Sequence, residues 1–139
     1  MEPFYTFHIE LQKLNKKLLN MSTQVEERFR QATSLIANYD EQIAQALILN
    51  DYQIDELVVE IEEDCLKILA LHQPVAGDLR FIVAVLKVNN DLERMGDMAQ
   101  TMAKRARAIS PHDRSALPPT VPDMTRRVRE MVSASLDSM

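Results

Sequence analysis

The sequence predicts an all-α fold, a three-helix bundle of long antiparallel helices, and three observations point to it. Apolar residues recur at alternating steps of four and three along three long segments, the spacing that stacks side chains on one helical face. Only two glycines occur, and one of them, Gly96, lies inside a helical stretch, which argues against turn-rich sandwiches and barrels. Eight Met and no Trp suit helices packed on helices, where the flexible thioether fills irregular gaps. A hydrophobic share of 46% is enough to build a core, so wholesale disorder is set aside.

The first helix is expected over about 6–38, on the stripe Phe7, Leu11, Leu14, Leu18, Met21, Val25, Ala32, Leu35 and Tyr39. The stripe is interrupted only where Arg28 sits beside Phe29. Asp40 reads as the N-cap of a short helix over 41–49, with Ile43, Ala46 and Leu47 inward. Asn50-Asp51 is polar punctuation before the next stripe of Ile54, Val58, Ile61, Cys65, Ile68 and His72. Pro74 ends that helix and opens another, since proline is tolerated in a first turn. The long helix over about 75–109 carries Phe81, Val85, Val88, Leu92, Met95, Ala99, Met102, Ala106 and Ile109 toward its neighbours. A second row, Leu79, Ile82 and Leu86 followed by Asn89, Asn90, Glu93 and Asp97, is expected on the opposite side. Its apolar half, Leu79, Ile82 and Leu86, needs a cover, from a partner or from a second bundle. The prolines of 110–121 mark a linker, and 122–139 carries Met124, Val128, Met131 and Ser135 in the order of the first helix's stripe. The expected organisation is therefore a bundle over 1–109, a linker over 110–121, and the first helix of a second, incomplete repeat over 122–139.

The formal net charge is −5 with both signs interspersed, so no basic face offers itself to nucleic acid. The single cysteine, Cys65, cannot form an intramolecular disulfide, which suits a reducing compartment, and its place on an apolar stripe reads as a buried, inert thiol. No apolar run approaches the ~20 residues that span a bilayer, so direct membrane insertion is not expected. A cytoplasmic protein follows, with any approach to the inner membrane made through partners.

Glu93 and Asp97, four residues apart, project one turn apart from one helical face. Two hard oxygen donors at that spacing can share a divalent or trivalent cation, and Asn90 stands one turn earlier to add a carbonyl. The same spacing is common in solvated helices, and Arg94 lies between the two acids. None of His8, His72 and His112 follows a glutamate by three residues, so a ferritin-like di-iron site is not supported. No glycine-rich phosphate loop and no nucleophile–base arrangement is legible either, so no enzyme is expected. The acidic second long helix, with Asp55, Glu56, Glu60, Glu62, Glu63 and Asp64, reads as a solvated face.

Three runs carry a resemblance: Ile61-Glu62-Glu63-Asp64-Cys65-Leu66, then Gln73-Pro74-Val75-Ala76-Gly77-Asp78-Leu79-Arg80, then Asp91-Leu92-Glu93-Arg94-Met95-Gly96-Asp97. Together they resemble the PhoU family of bacterial regulators of phosphate uptake and signalling. The likeness covers 7–108, the amino-terminal repeat, and 122–139 resembles the start of the family's second repeat. It implies two tandem three-helix bundles with E(D)-x-x-x-D motifs that bind metal, and it places that motif here on Glu93 and Asp97 alone. It also implies a non-catalytic cytosolic adaptor, often dimeric. Its partners would be the ATPase of a phosphate ABC transporter and a sensor histidine kinase, and it would damp starvation signalling when phosphate is plentiful. A family member carries around twice the helices seen here. This chain is then a piece of a longer protein, an incomplete product or a subunit that assembles in trans, and a second bundle becomes the expected cover for Leu79, Ile82 and Leu86. The competing expectation is a helical oligomerisation module whose acidic pair is inert.

Overall fold

Among the described residues six helices run in order: α1 (Pro3–Ala37), α2 (Glu41–Leu49), α3 (Tyr52–His72), α4 (Ala76–Ala108), α5 (Pro111–Ser115) and α6 (Val121–Asp137). The computed structural model describes residues 3–109 and 111–139, together with the side chains of these other than Pro3, Phe4 and His112. His112, which the sequence places in the linker with a structural or solvated role expected, therefore lies outside the described side chains.

Each boundary has a local cause. Asp40, in extended conformation, accepts from the amides of Gln42 and Ile43 at 2.9 and 3.2 Å, the N-cap the sequence predicts for α2. α3 ends where Gln73 turns left-handed at φ 44° while its amide bonds back to the Leu69 carbonyl. Pro74 lies in the connection, two residues before α4, rather than in its first turn.

α1, α3 and α4 are the three long helices, and α2 fills the end of the bundle where α1 gives way to α3. Pairings fix their directions. His72 at the end of α3 meets Glu10 near the start of α1 at 2.9 Å, and Lys17 reaches Glu60 and Asp64, each at 2.6 Å. Asn89 in the middle of α4 donates to the Val58 carbonyl in α3, while Gln100 reaches Ile48 of α2. α2 and α3 therefore run antiparallel to both α1 and α4.

Two buried clusters fill the bundle. One joins Leu14, Leu18, Met21 and Val25 to Ile54, Val58, Ile61, Cys65, Ile68, Ile82, Val85, Leu92 and Leu136. The other joins Phe29, Ala32 and Leu35 to Ala44, Leu47, Ala99, Ala103 and Ala106. In α2 the inward residues are Ala44 and Leu47, with Ile43 and Ile48 half-buried; Ala46, expected inside, is exposed because it lies two residues on from Ala44, on the opposite side of the helix.

α4 departs from its expected phase. Its buried row is Ile82, Val85, Asn89, Leu92, Gly96, Ala99, Ala103 and Ala106. Phe81, Val88, Met95 and Met102 flank that row, half-buried. The helix is turned by part of a residue step from the phase its largest side chains suggest, because small residues at 96, 99, 103 and 106 let it approach its neighbours more closely. The row Leu79, Ile82 and Leu86 does not form one exposed face. Ile82 is fully buried and unavailable to a partner, Leu86 packs against the first cluster, and Leu79 alone stays exposed.

α6 runs back along α1, with Leu136 buried in the first cluster and Val128 and Val132 packed against the core. Its contacting side is rotated from the expected stripe, so that Met124 and Met131 are exposed. Within the expected linker, α5 forms one short turn of helix, and Arg114 lies over the Tyr39 ring at 4.2 Å while donating to the carbonyls of Ala106 and Ile109.

Candidate metal centre

The rotation of α4 turns the Glu93–Asp97 flank toward α3. Gly96 is what lets the two helices meet there: a Cβ at this position would stand 3.3 Å from the Ile54 Cγ2 and 3.9 Å from the Asp51 Oδ1. Close approach at Gly96 carries its neighbour Asp97 to the first turn of α3. Carboxylate oxygens of Asp51, Asp55 and Asp97 lie within 4.8 Å of one another.

Asp51 occupies the N-cap position of α3 but makes no side-chain capping bond. It is 7% exposed, and its Oδ1 is buried without a hydrogen-bond partner. A buried carboxylate oxygen left unpartnered costs free energy, and an oxygen-seeking cation supplies the missing contact. Asp55 and Asp97 are exposed, so the triad opens to solvent on one side, as a cation that keeps some waters requires.

Glu93 is half-buried beside this triad rather than within it. Its carboxyl is pushed above the ordinary range, first by burial and then by the charges of Asp97, Asp55 and Asp51. Asp51 is pushed up for the same reasons: burial first, then Asp55 and Asp97, with Arg28 opposing. Four carboxylates thus crowd one corner of the bundle, and the structure splits the expected pair, placing Asp97 in the converging set and Glu93 at its rim. Asn90 is exposed one turn away. Asn89, expected on the polar back, is instead buried, with its Nδ2 bonded to the Val58 carbonyl at 2.9 Å.

The residues that sequence reasoning missed are Asp51 and Asp55. Asp51-x-x-x-Asp55 has the same four-residue spacing as Glu93-x-x-x-Asp97, an acidic pair that the punctuation reading of Asn50-Asp51 concealed. The donor set, all hard carboxylate oxygen, fits a divalent or trivalent cation and gives soft metals no thiolate or imidazole.

A profile described as PhoU domain matches residues 18–106. Among curated relatives, a phosphate-specific transport system accessory protein PhoU homolog of Aquifex aeolicus is 37% identical over 93% of this chain and 58% of its own length. The accessory protein PhoU of Serratia marcescens is 30% identical over 95% of the chain and 54% of its own length. A homolog from Pseudomonas aeruginosa is 39% identical over 72% of the chain and 41% of its own length. The chain spans about half the length of the curated relatives it matches.

Proposed function

The chain belongs to the PhoU family, and from that premise we propose that it is a regulatory adaptor in phosphate homeostasis whose α3–α4 carboxylate cluster holds a metal cation. The observation that carries the metal is the convergence of Asp51, Asp55 and Asp97 from two helices at a buried oxygen that has no hydrogen-bond partner. A bound cation supplies positive charge that ties the start of α3 to the middle of α4. Asp51, Asp55 and Asp97 hold it, and Glu93 adds negative charge at the rim.

The relatives are named as accessory proteins of the phosphate-specific transport system, which supports an adaptor rather than an enzyme. In this reading the chain restrains phosphate uptake and starvation signalling by binding the transporter's ATPase and a sensor histidine kinase. It works in the cytoplasm and meets the membrane through those partners; among the described residues no helix is long and apolar enough to cross a membrane. Leu71, Val75, Leu79 and Val83, exposed at the α3–α4 corner, favour a homo-oligomer.

The test is a phosphate-starvation reporter in a bacterium lacking its own family member. The chain should restore repression in phosphate-rich medium, and purified chain should bind the transporter ATPase or the kinase. No repression and no binding to either partner would contradict the reading.

A further inference from the structure

Arg28 interrupts the apolar stripe of α1, and the structure shows where it goes. Its guanidinium, with a side chain only 12% exposed, donates from Nη2 to the Leu47 carbonyl at 2.7 Å and stands 3.8 Å from the Asp51 Oδ1. That separation is an ion-pair contact, too long for a hydrogen bond. The Arg28 Nε and the Asp51 Oδ1 are both buried and both without a hydrogen-bond partner. Arg28 is thus anchored by α2 and offsets the charge of the carboxylate corner without occupying the oxygen that faces it. The Asp51 Oδ1 stays free for another ligand.

We propose that Arg28 is a built-in counter-charge that stands in for the cation, holding the carboxylates together when no ion is bound and setting how tightly one is held. The inference rests on the metal reading of Asp51, Asp55 and Asp97. Its physical basis is that a guanidinium keeps its charge at working pH, so it repels any cation arriving at the same corner. The repulsion scales with the charge of the ion, so a trivalent cation feels it more than a divalent one. Arg28 is a positioning residue, not a ligand, and its removal should move two quantities in opposite directions. Without a cation the fold loses the charge that offsets Asp51, and with one the site binds more tightly.

The test is calorimetric titration of the wild type, Arg28→Met, Arg28→Lys and Asp97→Asn with Mn2+ and with Tb3+, beside thermal unfolding without added metal. Arg28→Met should bind Mn2+ about tenfold and Tb3+ about thirtyfold more tightly than the wild type, from the ratio of ionic charges. The same variant should unfold at a lower temperature when metal-free. Arg28→Lys, which keeps the charge, should bind much as the wild type does. If Arg28→Met fails to fold, Arg28→Gln, an uncharged polar replacement, carries the same expectation. Unchanged or weaker binding by the charge-free variants, while Asp97→Asn still abolishes uptake, overturns the role of Arg28 and leaves the site standing. A wild type that takes up neither ion overturns both.

Discussion

Asp51 stands where a capping side chain belongs and does not cap; its carboxylate turns toward Asp55 and Asp97, and burial with those neighbours raises its pKa. Glu93 is raised likewise. Unfolding returns both groups to their ordinary range. Between the ordinary and the raised values the folded chain holds more protons than the unfolded one, so this contribution to stability grows as pH falls. We expect these two groups to add stability to the metal-free chain as pH falls from neutral toward the ordinary carboxylate range, and saturating Mn2+ to reverse that trend because protons and cation compete for the same oxygens. A thermal midpoint without this reversal contradicts the shared site. Cys65 gives a second expectation at this scale. Burial, with help from Asp64 and Glu62, pushes its thiol up to about 11, so alkylation in native buffer should be slower by orders of magnitude than in denaturant. The sequence made Cys65 legible, since its stripe is unambiguous. Asp51 was not legible, because an acid at a helix start has a ready local explanation, and only tertiary contact shows that it does something else.

At the scale of the element, α4 shows how a correct helix can be read in the wrong phase. Its large apolar residues lie in two adjacent rows, and the four-three spacing fits either one. The close packing chose the row that contains Asn89, Gly96 and Ala103, of which Asn89 was expected on the polar back. Asn89 carries a cost, as its Oδ1 is buried without a partner. Replacing it with leucine removes that unmet acceptor but also the Nδ2 bond to the Val58 carbonyl, so the two effects offset and Asn89→Leu should shift stability by no more than about 1 kcal/mol in urea unfolding. Gly96 has no such offset. A valine there would press on Ile54, itself fully buried, and should destabilise by about 2 kcal/mol while weakening cation uptake by parting Asp97 from Asp51. Loss of stability with unchanged uptake would show that the Gly96 contact does not position the site. By contrast, α1 and α3 were legible in their buried rows and α2 in its bounds and N-cap aspartate, though not in its inward residues, which are Ala44 and Leu47 rather than Ala46.

In the whole molecule, the bundle and its up-down order followed from three long stripes and the short connections between them. The path of α6 did not, since a proline-rich segment leaves the direction of the next helix open. The structure lays α6 along α1 and buries Leu136, so Leu136→Ala should cost about 2 kcal/mol in urea unfolding. An unchanged unfolding midpoint would mean that α6 does not dock on α1. The assembled chain brings together two acidic pairs on different helices, each unremarkable alone, because α3 and α4 cross closely at Gly96. Metal binding therefore rests on that one crossing. Crystals soaked in Mn2+ and measured at its absorption edge should show an anomalous peak bounded by the carboxylates of Asp51, Asp55 and Asp97, with the peak absent from Asp97→Asn crystals. A map with no peak there, or with the ion held elsewhere on the surface, would contradict the account.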